Sequence, residues 1–127
     1  MKIKSSQTLV QEALNTVKTI TPNEALDKLE KKQCNLIDIR DAVELEREGT
    51  IENSFHIPRG LLEFLIHPES PFTKKENLDF NKEIVLFCAA GGRSALAAKT
   101  LQDMGFVKVS HVNGGFNLMK SSGFKIK

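Results

Sequence analysis

Tryptophan and tyrosine are absent from this sequence of 127 residues, and it has only two cysteines, Cys34 and Cys88. A nucleic-acid binder concentrates Lys and Arg on one face and interleaves aromatics for stacking. Here the only adjacent basic residues are the isolated pairs Lys31-Lys32 and Lys74-Lys75, so nucleic acid is not an expected partner. The net charge of +2 rests on Lys2, Lys4, Lys125 and Lys127 in the tails, and the body is slightly acidic. No run approaches 18 apolar residues, and the start MKIKSSQTLVQEAL has no continuous apolar segment. The expectation is therefore no membrane span, no secretory signal and a cytoplasmic location. In that reducing compartment a structural disulfide is disfavoured, so at least one thiol invites a chemical explanation.

Hydrophobic residues at 40% and charged residues at 27% lie near the averages for globular proteins, which favours one domain with a packed core over disorder. Leu9, Val10, Ala13, Leu14 and Val17 recur at helical spacing over residues 7–18, which predicts an amphipathic N-terminal extension, residues 1–18, ahead of a main domain, residues 19–127. Thr21-Pro22-Asn23-Glu24 forms a capping box with Pro at the first helical position, so a helix is expected over 22–32. Residues 35–40 read as a short buried strand. A charged helix over 42–48 follows, stopped by Gly49. A weaker strand over 54–57, a helix over 60–67 and a connection over 68–82 come next, and connections of that length often border a site.

The apolar run 83–87 is the clearest strand, too short for a helix and rich in branched residues. It leads directly into Cys88-Ala89-Ala90-Gly91-Gly92-Arg93, after which 94–104 is a run of helix formers stopped by Gly105. A last strand over 107–112, a turn at 113–115 and a helix over 116–122 complete the chain. Strands alternating with helices predict an α/β fold, a parallel sheet covered on both faces.

In an open α/β sheet, ligands bind beyond the carboxyl ends of strands, where loops meet helix N-termini. Cys88 is placed there. The helix dipole and the unpaired amides of a first turn favour a thiolate at that point, and the thiolate is the nucleophilic form. Gly91 and Gly92 can adopt positive φ, which lets successive N–H groups converge on an anion, and Arg93 adds a fixed cation. A nucleophilic sulfur among amide donors suits an anionic substrate that is electrophilic at sulfur or phosphorus.

The loop Cys88-Ala89-Ala90-Gly91-Gly92-Arg93-Ser94 resembles the active-site loop of single-domain rhodaneses, which often reads C-x-x-G-x-R-S. Leu36-Ile37-Asp38-Ile39-Arg40 is similar to that family's D-V-R segment, residues 49–58 to its G-H-I-x-x-A-x-x-I-P segment, and Gly114-Gly115-Phe116 to its G-G-F turn. The resemblance spans residues 19–124. It implies a three-layer rhodanese-like fold with a five-stranded, mostly parallel sheet. It also implies a sulfurtransferase that carries a persulfide on Cys88. The donor would be a small sulfur anion, thiosulfate or a persulfide, held by the amides of Ala89 to Ser94 and oriented by Arg93. The acceptor would be cyanide, a thiol or a sulfur-accepting protein, with no metal or organic cofactor. Two positions depart from the pattern. Thr50 stands where the family has His and Met119 where an aromatic is common, both changes expected to affect packing more than chemistry.

Rival readings have distinct requirements. A cysteine phosphatase or arsenate reductase of related scaffold has five residues between Cys and Arg, whereas Cys88 and Arg93 enclose four. A non-catalytic sulfur-sensing or docking module would not need both Cys88 and Arg93. Cys34, just before the first predicted strand, is expected at the opposite end of the sheet as a structural thiol, too far for a disulfide. His56, His67 and His111 show no ligand spacing with the cysteines and read as surface or packing residues. Asp38 and Arg40 share one side of a strand and are expected to support the loop region structurally. Arg59 reads either as positive charge near the site or as a solvated rim residue.

Overall fold

The computed structural model of the protein describes residues 2–127. Helix α1 (Ser6–Leu14) precedes strand β1 (Lys18–Ile20), helix α2 (Pro22–Glu30), strand β2 (Cys34–Asp38), helix α3 (Ala42–Glu48) and strand β3 (Phe55–His56). A 3-10 turn (Arg59–Leu61) then leads into the short helices α4 (Leu62–Leu65) and α5 (Pro71–Glu76). Strand β4 (Glu83–Phe87), helix α6 (Gly92–Asp103), strand β5 (Val109–Val112) and helix α7 (Gly115–Met119) complete the chain. The five strands form one sheet in the order β1-β5-β4-β2-β3, every pair parallel. This is the α/β architecture expected, with β4 at the centre.

Two-residue alternation assigns each strand side chain to a layer. Ile84, Leu86 and Cys88 project to one face, where Ile37, Ile39, Val109 and the α6 residues Ala97, Ala98 and Leu101 meet them. Val85 and Phe87 project to the other, packed with Leu36, Val112, Ala25, Phe116 and Met119. Most of these side chains are fully buried, each large one contributing about 1.5–3 kcal/mol by removal from water. Met119, where the family pattern has an aromatic, fills this second core.

The helix starts follow local chemistry. The capping box at Thr21 and Glu24 is formed in both directions. Asp41 and Glu44 close an analogous box at α3. Gly49 ends α3 at φ +81°, and its neighbour Thr50 pairs in both directions with Lys127, so the C-terminal residues dock against the α3–β3 connection.

Several expectations are corrected. Strand β1 carries no apolar pattern of its own, since two of its three residues are exposed. Lys18, counted with the N-terminal extension in the sequence, is its first residue and pairs with Ser110. Helix α1 packs on α6, and Gln102 of α6 donates to the carbonyl of Thr16. The connection over 68–82 contains α5, started by the hydroxyl of Ser70 with Pro71 behind it. Asn35 at the amino end of β2 exchanges two hydrogen bonds with the Asp79 backbone, so this connection lies at the rim opposite Cys88 and does not border the loop. Among the described residues no helix is long and apolar enough to cross a membrane.

Candidate active site

Strand β4 delivers Cys88 to the carboxyl end of the central strand, and α6 begins four residues later. Between them the chain must reverse within a few residues. Gly91 does this at φ +111°, in the left-handed region, as the N-terminal cap of α6. The turn brings two amides onto the sulfur: Gly91 donates to Cys88 Sγ at 3.1 Å and Ser94 at 3.4 Å. Cys88 is only 1% exposed. Among the described residues, the amides of Ala89, Ala90, Gly92 and Arg93 have no protein acceptor.

The loop is held from behind by α7. Phe116 N–H donates to the carbonyl of Cys88 at 2.8 Å and Asn117 N–H to that of Ala89 at 3.0 Å. This approach requires Gly115, at φ +53°: a β-carbon there would lie 2.3 Å from the Cys88 carbonyl oxygen and 2.8 Å from the Ala89 backbone. The Gly114-Gly115-Phe116 turn is thus the back wall of the Cys88 loop.

Asp38 and Arg40, both fully buried, form an ion pair. Asp38 accepts from Arg40 Nε and Nη2, from the Arg40 amide and, at 2.7 Å, from Thr50 Oγ1. Arg40 Nη2 also donates to the Gly49 carbonyl, and its guanidinium lies 4.1 Å from the centre of the Phe116 ring. A contiguous path therefore runs from Asp38 through Arg40 and Phe116 to the Cys88 carbonyl. Thr50, the departure from the family's His, serves this cluster through its hydroxyl.

Arg93 is placed beside the loop but is not a free cation. Its guanidinium makes a bidentate pair with Glu44 at 2.8 and 3.0 Å. Arg93 therefore holds the Glu44 carboxyl below the usual carboxylate range, and Glu44 raises the Arg93 pKa in return. Glu44 is invisible as a site residue in the sequence because it lies 49 positions from its partner.

Ser94 carries a second arrangement that the sequence reading missed. Its hydroxyl lies 3.6 Å from Cys88 Sγ and 2.9 Å from Nδ1 of His111, which is 2% exposed. The other ring nitrogen of His111 lies 2.9 Å from Thr19 Oγ1. His111 is thus not a surface residue: it is buried, with a hydroxyl within hydrogen-bond distance of each ring nitrogen. The available signal was a polar Ser-His pair inside a short apolar strand, where buried polar groups need partners.

The remaining candidates are placed elsewhere. Arg59 pairs with Glu63 at 2.7 Å and donates to Thr100, which uses its charge outside the loop. His56 contacts the Arg40 carbonyl and His67 the Glu69 amide. Cys34 registers with Glu83 at the amino ends of β2 and β4, the opposite rim from Cys88, as expected. Burial, followed by the Glu83 carboxylate, pushes the Cys34 thiol up to about 11.

The model of the rhodanese-like domain family matches residues 21–122. Thiosulfate sulfurtransferase GlpE of Pseudomonas savastanoi pv. phaseolicola (strain 1448A / Race 6) is 32% identical over 101 residues, 80% of this chain and 86% of that protein. The chain spans only 40% of a longer relative from Bacillus subtilis (strain 168). The 30 kDa polysulfide-sulfur transferase homodimer of Wolinella succinogenes superimposes with a TM-score of 0.72 at 33% identity, over 94% of this chain and 84% of that one. RPA3614 of Rhodopseudomonas palustris CGA009, described as a protein of unknown function and possible tyrosine phosphatase, gives 0.87 at 39% identity, over 100% and 97%. That last likeness extends through α1, which lies outside the family match.

Proposed function

Because the chain belongs to the rhodanese-like domain family, we propose that it is a sulfurtransferase that carries sulfane sulfur as a persulfide on Cys88. The observation that carries this reading is the sulfur at the carboxyl end of β4 accepting hydrogen bonds from the Gly91 and Ser94 amides. Such donors stabilise a thiolate, and they do so without reorganisation because the loop and the first turn of α6 hold them in place.

In the first half-reaction the Cys88 thiolate attacks the outer sulfur of thiosulfate. A Cys88 S–S bond forms, the bond to the sulfonate sulfur breaks, and sulfite leaves with its electron pair. A persulfide donor reacts in the same way and leaves as a thiolate. The amides of Ala89, Ala90, Gly92 and Arg93 accommodate the anionic donor and then the terminal sulfur of the persulfide, and Arg93 orients the donor at the edge of its pair with Glu44. In the second half-reaction cyanide or a thiolate attacks the terminal sulfur and Cys88 leaves as the thiolate. The sulfur-accepting partner is a small thiophile or the thiolate of a protein. Residues 38 and 40 serve as structural support for the loop.

Intact mass spectrometry under non-reducing conditions tests this. Incubation with thiosulfate or glutathione persulfide is expected to add one sulfur, about 32 Da, to the wild type and none to Cys88→Ser, and cyanide is expected to remove it. No adduct on the wild type from either donor overturns the reading.

A second reading is favoured by the description attached to the Rhodopseudomonas palustris structure: phosphate-ester hydrolysis at Cys88. Four residues between Cys88 and Arg93 weigh against it, because they give a smaller cradle than the five of cysteine phosphatases. Hydrolysis of p-nitrophenyl phosphate that is lost in Cys88→Ser would establish it.

A further inference from the structure

A nearly fully buried thiol that must ionise needs somewhere to send its proton, and the three polar side chains beyond Cys88 form a continuous line away from it. Cys88 Sγ lies 3.6 Å from Ser94 Oγ, Ser94 Oγ lies 2.9 Å from His111 Nδ1, and His111 Nε2 lies 2.9 Å from Thr19 Oγ1. Cys88, Ser94 and His111 are each at most 2% exposed, whereas Thr19 is an exposed residue of the edge strand β1. The fold puts these groups together from four elements. Cys88 follows β4, Ser94 lies in the first turn of α6, His111 is in β5 and Thr19 is its registered partner in β1.

We propose that Ser94, His111 and Thr19 form a proton path that takes the Cys88 thiol proton to the sheet edge, with His111 as the positioning residue that acts on the sulfur through Ser94. The assignment rests on the reading of Cys88 as a thiolate nucleophile. Two arrangements of hydrogens satisfy the line. With Cys88 as a thiol, S–H donates to Ser94, the Ser94 hydroxyl donates to Nδ1, and Nε2–H donates to Thr19. With Cys88 as a thiolate, Thr19 donates to Nε2, Nδ1–H donates to Ser94, and the Ser94 hydroxyl donates to the sulfur. Passing between them breaks the S–H bond, leaves its electron pair on sulfur, moves one proton along each link and releases one proton to water at Thr19. Nothing is oxidised, and His111 changes tautomer while staying neutral.

Neutrality of the ring fits its surroundings. Its registered neighbours are Thr19 on β1 and Leu86 on β4, neither of them charged, and Ser94 is the α6 group that reaches it. Cys88, beyond Ser94, is the titratable group in line with it. Burial alone lowers the His111 pKa, which disfavours an imidazolium and leaves the tautomer shift as the accessible change. One competing acceptor is present: the Gly91 carbonyl, 3.2 Å from Ser94 Oγ, would take the Ser94 proton out of the line.

The test reads thiol ionisation and ring tautomer, with no sulfur donor present, so it can fail or succeed independently of sulfur transfer. Cys88 alkylation by iodoacetamide is followed by mass against pH in the wild type, His111→Phe and Ser94→Ala. Loss of the hydrogen bond to a thiolate is expected to slow alkylation at pH 7 on the order of tenfold in both variants, with the rates converging at alkaline pH. His111→Asn, which can retain a partner for Ser94, should recover part of the rate. In the wild type alone, the nitrogen chemical shifts of His111 should exchange their protonated and unprotonated signatures between Nδ1 and Nε2 as Cys88 ionises. Alkylation profiles that superimpose at every pH, or ring nitrogens unchanged across Cys88 ionisation, overturn the proposal and assign Ser94 to the Gly91 carbonyl.

Discussion

The two ends of one sheet each hold a cysteine, and they treat it in opposite ways. At the carboxyl rim Cys88 is almost completely buried yet receives two amide donors, with a hydroxyl also in reach. At the amino rim Cys34 is only half-buried, faces the Glu83 carboxylate, and has its thiol pushed up to about 11. The more accessible sulfur is the one without amide donors. At Cys34 burial, followed by the Glu83 carboxylate, disfavours the thiolate, and the two amide donors at Cys88 have no counterpart there. The direction of the strands supplies the difference, because parallel strands put helix starts and their free amides at one rim only.

The most decisive way to break this comparison is to exchange the roles of the two sulfurs. Cys88→Ser is expected to abolish persulfide formation while Cys34→Ser leaves it intact, by intact mass. With the Cys34 thiol pushed up to about 11, mapped alkylation at pH 8 should leave it unmodified in the folded protein.

The supports of the two rims differ next. Asp38→Ala strands the buried Arg40 charge and should cost about 3–5 kcal/mol in urea denaturation. Lys31→Ala near the amino rim breaks an exposed pair with Asp27 and should cost roughly 0–1 kcal/mol in the same measurement. A smaller effect tests the back wall of the loop. Gly115→Ala, forced against the Cys88 carbonyl at positive φ, should cost about 1–3 kcal/mol and slow persulfide formation. Gly60→Ala, with open space around it, should stay within about 0.5 kcal/mol.

The smallest effect is a pH dependence. Burial lowers the His111 pKa below its ordinary 6.5, so the folded protein binds fewer protons than the unfolded chain just below that pH. Stability is therefore complete above that value and declines as pH falls through it, and His111→Phe should flatten this part of a denaturation-against-pH curve.

Much of this was legible in local sequence. The run 83–87, the glycine turn and the helix formers after it placed the Cys88 loop, and strand direction placed Cys34 at the far rim. The capping box at Thr21 and the stop at Gly49 are also encoded within a few residues. What escaped was encoded between distant positions. Strand β1 has three residues and too little apolar pattern to be recognised until β5 lies beside it. Helix α5 is a single capped turn and a half without an amphipathic repeat. The pairs Arg93–Glu44 and Ser94–His111 join separate elements, so only register and packing reveal them.

The order β1-β5-β4-β2-β3 also sets a schedule for a chain made from its amino end. Strand β4 can pair with β2 once residues 83–87 are made, but its other edge stays bare until 109–112 follow, and β1 waits for the same residues. Chains elongate at about 5–20 residues per second, which leaves this edge open for a second or more. During that interval Cys88 lacks His111, the Phe116 amide and the wall at Gly115. The surroundings of the sulfur are therefore completed late, after the sheet that presents it is already half assembled.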